Sequence, residues 1–125
     1  MACRPITTYY FEKRFKKLTR RDRLLKERII RKLQDIVSNP DIGEPKRYAL
    51  RGLRSVHIDP FIVAYVVIKD IILLINLDHH DKVYEETPKL IDSLLNDSRT
   101  IEALTNAGLS PEEYAAFLKS FRKTK

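Results

Sequence analysis

Three histidines flank one predicted hairpin, and they are the residues best suited to chemistry in this chain. His57 precedes the hairpin, His79 and His80 follow it, and Tyr84 comes four residues after His80. Imidazole is the side chain whose ordinary titration range includes neutral pH, so it can both take and give a proton. A phenol ring can stack on an RNA base. Together with the excess of Lys and Arg around them, these groups indicate acid–base chemistry on a polyanion.

Metal-free cleavage of RNA is the reaction that these groups could perform. A base must remove the 2′-hydroxyl proton, an acid must protonate the leaving 5′-oxygen, and cations must stabilise the charge that develops on the phosphate. We predict that His57 and His80, placed on neighbouring strands, are the base and the acid, with Tyr84 as the third catalytic residue. Lys and Arg side chains are suited to holding the phosphate. The predicted RNA- and phosphate-binding residues are Lys46, Arg47, Arg51, Arg54 and His79.

The run Asp78-His79-His80-Asp81 could also be read as a set of metal ligands. Adjacent residues of a strand point to opposite faces, so His79 and His80 would seldom share one ion. We therefore expect no metal and no cofactor. Asp78 or Asp81 is expected to orient an imidazole instead.

The charge of the chain is positive and unevenly distributed. It has 24 Lys and Arg residues against 17 Asp and Glu, a net charge of +7 over 125 residues. Residues 1–38 carry 12 basic and 4 acidic side chains, net +8, whereas residues 78–97 carry 2 basic and 6 acidic, net −4. A one-sided basic field fits a nucleic acid or an acidic protein partner. The alternative is a solvated helix face.

The compartment is predicted from the cysteine count and the apolar runs. A single cysteine, Cys3, excludes an internal disulfide framework and favours a reducing setting. No apolar leader segment is visible near the N-terminus. Lys69 and Asp70 interrupt the apolar run Phe61–Leu77, so we predict buried strands rather than a membrane span. A cytoplasmic protein is expected.

The hydrophobic spacing predicts an α+β fold. A short strand at residues 5–10 and a short helix from Phe11 are followed by a clear helix at Arg21–Val37. Four closely spaced β segments follow and should be antiparallel, because no room is left for helical crossovers. They are predicted at Arg47–Arg51, Ser55–Asp59, Phe61–Ile68 and Ile71–Leu77. We expect two N-terminal helices on one face of a curled, mainly antiparallel sheet of four to five strands, with C-terminal helices added. The first of these C-terminal helices is predicted at Pro88–Leu95.

A family resemblance adds to this interpretation over roughly residues 6–95. The order of elements resembles the RelE/ParE superfamily of toxin–antitoxin toxins, and several short motifs match that family's pattern. They are Phe15-Lys16-Lys17-Leu18, Ser38-Asn39-Pro40 with Leu50-Arg51-Gly52-Leu53, His57-Ile58-Asp59-Pro60 with Ile62-Val63-Ala64-Tyr65, and His79-His80-Asp81-Lys82-Val83-Tyr84.

The resemblance implies a function and partners. Family members of the YafQ-type branch are ribosome-dependent endoribonucleases that cut mRNA and are neutralised by a cognate antitoxin. By this resemblance His57 and His80 act in cleavage and Tyr84 contacts the cut nucleotide. The chain departs from the pattern at Tyr48 and Phe61, where the branch carries a histidine and an acidic residue, and at Ile62, where RelE itself uses an arginine.

Two other functions stay open at this point. A toxin of the ParE type would bind and inhibit DNA gyrase, which needs no proton shuttle. A member with an incomplete catalytic set would only bind RNA or the antitoxin.

The last residues extend beyond the usual end of the family fold. We expect a RelE-like domain at residues 1–96 and a helical extension at residues 97–125, with its last helix beginning at Ser110-Pro111-Glu112-Glu113. The extension has too many apolar residues for a free tail. They are Ile101, Leu104, Leu109, Tyr114, Phe117, Leu118 and Phe121. They are expected either to extend the core or to cover a groove, on the same chain or on a second copy in a homodimer.

Overall fold

The computed structural model describes residues 3–46, 52–94 and 96–122, with side chains described through residue 116. The predicted strand Arg47–Arg51 lies outside the described residues. In chain order the elements are β1 Arg4–Thr7, α1 Tyr9–Thr19, α2 Arg23–Ser38, a 3₁₀ turn Pro40–Ile42, β2 Glu44–Pro45, β3 Arg54–Ile58, β4 Phe61–Ile68, β5 Ile71–His79, α3 His80–Leu94, α4 Ser98–Asn106 and α5 Pro111–Arg122.

The strands form one five-stranded mixed sheet in the order β1-β5-β4-β3-β2. β3, β4 and β5 are antiparallel neighbours, as predicted. β2, which was not predicted, pairs antiparallel with β3, and β1 runs parallel to β5 at the other edge. The register aligns His57 of β3 with Ile62 of β4, and Ile62 with Asp78 of β5. The α+β class and the mainly antiparallel sheet are therefore confirmed.

The two N-terminal helices begin at side-chain caps. The Thr8 hydroxyl accepts a hydrogen bond from the Phe11 amide, so the first strand ends at Thr7, earlier than the predicted residue 10. Asp22 caps α2 in the same way through the Leu25 amide. The apolar stripe of α2 is buried at Leu25, Ile29 and Ile36. The predicted helix at Arg21–Val37 is thus confirmed, with its start moved two residues along the chain.

One prediction about the catalytic segment was wrong. His80 does not lie on a strand, because β5 ends at His79 and His80 is the first residue of α3, the helix that also carries Tyr84. α3 is a single helix that contains Pro88, where we predicted a separate short helix starting at that proline. Its buried residues recur every three to four positions, which is helical spacing. They are Val83, Thr87, Ile91 and Leu94.

The core consists of two main apolar clusters that contain alternating residues of the same strands. In the first cluster, buried side chains of α1 and α2 pack against one face of the sheet. The helix residues are Phe11, Leu25, Ile29 and Ile36, and the strand residues include Val56, Val63, Tyr65, Ile72 and Leu74. Most side chains of the second cluster come from the other face of β4 and β5 and from α3 to α5. Leu53, just before β3, and Leu109, between α4 and α5, complete it. Helices therefore cover both faces of the sheet, where the sequence had indicated one.

The C-terminal extension is part of this second cluster. Leu104, Leu109 and Tyr114 are at most 2% exposed and pack with Val66 and Leu73. Burial raises the pKa of the Tyr114 phenol, which donates a hydrogen bond to the Leu94 carbonyl. Lys69 at the hairpin turn pairs with Glu113, and this hydrogen bond lowers the pKa of the Glu113 carboxyl. The extension therefore adds to the core, and self-association through it stays a prediction. The reciprocal bonds of Ser110 and Glu113 confirm the predicted start of α5.

None of the helices within the described residues is long and apolar enough to cross a membrane.

The loop that leads to Lys46 is anchored by Tyr65. Its fully buried phenol donates to the Pro40 carbonyl at 2.6 Å and accepts from the Gly43 amide at 2.9 Å. A methyl group at Gly43 would collide with this hydroxyl.

We expect Gly43→Ala to lower the free energy of unfolding by about 1–3 kcal/mol, the usual cost of overpacking. Urea denaturation measures this change. Tyr65→Phe removes the nearest obstructing atom, while ring carbons 2.8 Å from the new methyl group remain. The double variant should therefore be destabilised by less than the sum of the two single effects; additive effects would contradict the account.

Candidate active site

His57 and His80 lie next to each other at the end of the sheet where β3 and β5 terminate. Their ring centroids are 6.5 Å apart and the ring planes differ by 26°. His57 is an exposed residue of β3, whose neighbours Val56 and Ile58 point into the core. His80 is exposed at the first position of α3. Two solvent-accessible imidazoles at this separation can contact one small group from two sides.

Tyr84 completes the cluster one helical turn after His80. Its ring meets the His80 ring edge-on, with centroids 4.7 Å apart. The Tyr84 hydroxyl lies 3.3 Å from the Ser55 hydroxyl. Ser55 is 2% exposed and precedes His57 by two positions, so both point from the same face of β3. The phenol is thereby held against the sheet, and the ring stands beside the histidines.

Lys46 supplies the positive charge of this cluster. Its Nζ lies 5.0 Å from the centre of the Tyr84 ring, within the range of a cation–π interaction. The Lys46 side chain is only 16% exposed, and its Nζ is 3.7 Å from a Glu44 carboxylate oxygen. The ammonium therefore lies beside the phenol ring, with the Glu44 carboxylate as its ion-pair partner.

The other predicted phosphate ligands are placed differently. Arg54 points to the opposite face from Ser55 and His57, where it donates to the carbonyls of Asp41 and Gly43. His79 turns away from His80, because its ring packs on Phe61 at 4.7 Å. Arg47 and Arg51 lie outside the described residues. The structure therefore brings together His57, His80, Tyr84 and Lys46, but not Arg54 or His79.

The two aspartates of the segment have different surroundings. Asp81 is exposed and lies 3.2 Å from Nδ1 of His80, so it can orient that imidazole. Asp78 is 1% exposed, and its charge is compensated by Arg14 of α1 at 2.8 Å. Its other oxygen accepts from the His79 amide. Asp78 therefore fixes the strand-to-helix turn in front of His80.

A second interaction joins α1 to α3 beside this ion pair. The Tyr10 hydroxyl donates to Glu86 at 2.7 Å. Burial, together with this bond to a carboxylate, raises the pKa of Tyr10 to about 12. The phenol therefore stays protonated and keeps α1 attached to the helix that carries His80.

The described residues place no set of side chains where they could together bind a metal ion. Within residues 3–46, 52–94 and 96–116, no group of three His, Cys, Asp or Glu side chains is placed to hold an ion. The site can transfer protons and attract an anion with its own side chains.

Two residues at this site were missed in the sequence. Ser55 lies two positions before His57, and strand alternation alone could have placed it on the same face. Arg14 could not have been found by spacing, because it lies 64 positions before Asp78 in the chain.

Comparisons with known proteins agree with this fold. Residues 6–84 match the family model described as the ParE toxin of a type II toxin–antitoxin system, parDE. A protein of Methanocaldococcus jannaschii named "Putative toxin RelE4" is 30% identical over 78 residues, which are 60% of this chain and 83% of that protein.

Two solved structures share the fold. Free Escherichia coli toxin RelE, in a mutant form, superposes with a TM-score of 0.59 at 20% identity, over 71% of this chain and 97% of RelE. The toxin–antitoxin complex RelBE2 of Mycobacterium tuberculosis gives a TM-score of 0.55 at 19% identity, over 64% of this chain and 100% of the matched chain. The family model covers more than half of the residues, from the second half of β1 to the start of α3. The chain belongs to the RelE/ParE superfamily of toxins of type II toxin–antitoxin systems.

Proposed function

We propose that this toxin is a cytoplasmic, ribosome-dependent endoribonuclease that cuts mRNA without a metal ion. The observation that carries the proposal is the His57–His80 pair, with ring centroids 6.5 Å apart and both imidazoles exposed. Acid–base cleavage needs two proton-transferring groups at one phosphate, and this pair supplies them.

The reaction proceeds in one displacement. One imidazole takes the proton from the 2′-hydroxyl, and the 2′-oxygen attacks phosphorus. The bond from phosphorus to the 5′-oxygen breaks, and the second imidazole gives a proton to that oxygen. The products are a 2′,3′-cyclic phosphate and a 5′-hydroxyl end. Asp81 at 3.2 Å from His80 holds that imidazole in position for its transfer.

Lys46 and Tyr84 serve the same phosphate and its nucleotide. The Lys46 ammonium, held 5.0 Å from the centre of the Tyr84 ring, would stabilise the charge that develops on the phosphate oxygens. The Tyr84 ring offers a surface for a base next to His80. Because the Tyr84 hydroxyl is hydrogen-bonded to Ser55, we assign the contact with the nucleotide to the aromatic ring.

An antitoxin is the second expected partner. The matched RelBE2 structure is a toxin–antitoxin complex. We propose that a cognate antitoxin binds this chain and prevents access of mRNA to the histidine pair.

The rival function is inhibition of DNA gyrase, because the matching family model is that of the ParE toxin. Translation with purified ribosomes, followed by primer extension on the mRNA, separates the two. We expect new primer stops when the toxin is added, and undisturbed supercoiling by gyrase at the same toxin concentration. Loss of supercoiling without mRNA cleavage would establish the rival. Binding of RNA without either effect would identify a member that only binds.

Ser55 and Tyr84 provide a test of the part that the phenol plays. Since the hydroxyl only positions the ring, Tyr84→Phe and Ser55→Ala should each lower the cleavage rate less than tenfold, the effect of removing about one hydrogen bond. Tyr84→Ala removes the ring and should lower the rate more than either. The rates are measured at saturating mRNA and ribosomes. A Tyr84→Phe variant as inactive as Tyr84→Ala would show instead that the hydroxyl takes part in proton transfer.

A further inference from the structure

A strongly basic groove lies at the end of α1 and the turn into α2. Its volume is about 810 Å³. Six of its lining side chains are basic and only Asp22 is acidic. We call these six residues the basic groove: Lys13, Arg14, Lys16, Lys17, Arg20 and Arg21. With six basic side chains and one acidic side chain, the lining keeps a net charge of +5; the Asp22 carboxylate also caps α2 through the Leu25 amide.

The C-terminal extension contributes a cation to the same side of the molecule. The guanidinium of Arg99 on α4 lies 5.0 Å from the centre of the Tyr9 ring. Lys13 of the basic groove approaches the same ring at 5.4 Å. Tyr9 is 48% exposed, so the ring and both cations are open to solvent. The Tyr9 ring therefore connects α4 to the groove.

The groove is also connected to the candidate active site, through two of its lining residues. Arg14 pairs with Asp78, two positions before His80. Tyr10 bonds to Glu86, two positions after Tyr84. These two contacts join α1, which lines the groove, to the end of β5 and to α3, the helix that carries His80 and Tyr84.

The chemistry of the surface favours a nucleic acid over a protein. Phosphates bind to clustered Lys and Arg with little apolar contact, and the largest apolar lining residues here are Leu18 and Tyr10. A protein partner needs an apolar centre in its interface. Such a surface exists elsewhere, between β1 and α2, where the lining includes Ile30, Leu33, Val37 and Leu74.

We propose that the basic groove, together with Tyr9 and Arg99, is one surface that binds the sugar–phosphate backbone of RNA outside the His57–His80 site. The extension thus has two parts in this chain: its apolar residues fill the core, and Arg99 lengthens the RNA-binding surface. The inference deepens the proposed function and rests on it for the identity of the polyanion.

Binding of a fluorescein-labelled single-stranded oligoribonucleotide tests the proposal. The full-length protein carries His80→Ala, so that the RNA is not cut, and anisotropy is recorded at several salt concentrations. For single strands the slope of log K against log[salt] becomes shallower by about 0.7 for each phosphate that the protein no longer neutralises. We expect the groove variant Lys17→Gln/Arg20→Gln to give a slope shallower by about 1.4, and Arg99→Gln by about 0.7. Arg99→Lys should restore the original slope.

A matched control separates this surface from net charge. Arg31→Gln/Lys89→Gln also removes two exposed cations, but neither residue lines the basic groove. Its slope should be unchanged. Equal slope changes in the groove and control variants would overturn the proposal, and so would an unchanged slope in the groove variant. Weaker binding of polyglutamate with unchanged RNA binding would assign the surface to an acidic protein. If the groove variant has a lowered urea midpoint, Arg99→Gln decides the result by itself.

The groove variants are next made in protein that keeps the native His80, and mRNA cleavage on ribosomes is measured. This experiment separates the inference from the proposed function. We expect the groove variants to raise the RNA concentration that gives half-maximal cleavage and to retain the rate at saturation. Wild-type protein that binds RNA through the groove but cuts no mRNA would overturn the proposed function and leave the inference intact.

Discussion

Replacing His80 by alanine is expected to lower the rate of mRNA cleavage by about 10²- to 10⁴-fold, the usual contribution of one proton-transferring group. The His80 imidazole faces His57 and Tyr84. It is exposed and does not pack in the apolar core. The variant should therefore fold normally and no longer arrest growth on expression. Single-turnover cleavage with programmed ribosomes measures the rate, and circular dichroism checks the fold.

A neighbouring histidine gives the matched comparison for this variant. His79 has similar exposure, but its ring packs on Phe61 instead of facing His57. His79→Ala should lower the rate far less than His80→Ala, and His57→Ala should resemble His80→Ala. Because His57 and His80 act in one step, the double variant should be little slower than either single variant. Equal rates for His79→Ala and His80→Ala would contradict the assignment of the pair.

Leu104→Ala is expected to lower the free energy of unfolding by about 2–5 kcal/mol, because it removes a fully buried side chain and leaves a cavity. Leu104 is 1% exposed and packs in the same cluster as Leu73 and Ile75. This decrease is a large part of the stability of a domain of this size, about 5–15 kcal/mol. Deleting residues 97–125 removes Leu109 and Tyr114 as well and should leave an insoluble or unfolded chain. Urea denaturation measures the first effect, and soluble yield the second.

Glu102 on the same helix is the control, because it is exposed. Glu102→Ala should change the free energy of unfolding by no more than about 0.5 kcal/mol. A soluble truncated protein with an unchanged urea midpoint would show that the extension is not part of the core, despite the packing of Leu104.

Most of the fold could be predicted because the relevant signals are local. The stripe of α2 and the two-residue turn between β4 and β5 are visible in the apolar spacing. The pairing of β1 with β5 was not predictable in this way, because parallel pairing joins segments more than 60 residues apart. The sequence predicts a separate helix from Pro88, because proline is common at the first position of a helix, whereas α3 continues through this residue. Packing of Val83 and Ile91 against the sheet supports one continuous helix instead.

The candidate site was predictable in part, because residue types and short motifs are local signals, whereas contacts between distant segments are not. His57, His80 and Tyr84 were identified by residue type and resemblance, and the structure brings them together with Lys46. Arg54 was selected for its charge, but the parity of β3 places it on the opposite face from His57. The ion pair of Arg14 and Asp78 depends on the tertiary fold, so no spacing in the chain could reveal it.

The chemistry of the cut ends tests the central claim most directly. Attack by the 2′-oxygen, with His57 and His80 moving the protons, leaves a 5′-hydroxyl on the downstream fragment and a cyclic phosphate on the upstream one. The downstream fragments of mRNA cut by the wild-type toxin on ribosomes should therefore accept labelled phosphate from polynucleotide kinase without prior phosphatase treatment. Fragments that require phosphatase treatment first, and so carry a 5′-phosphate, would contradict metal-free cleavage by this histidine pair.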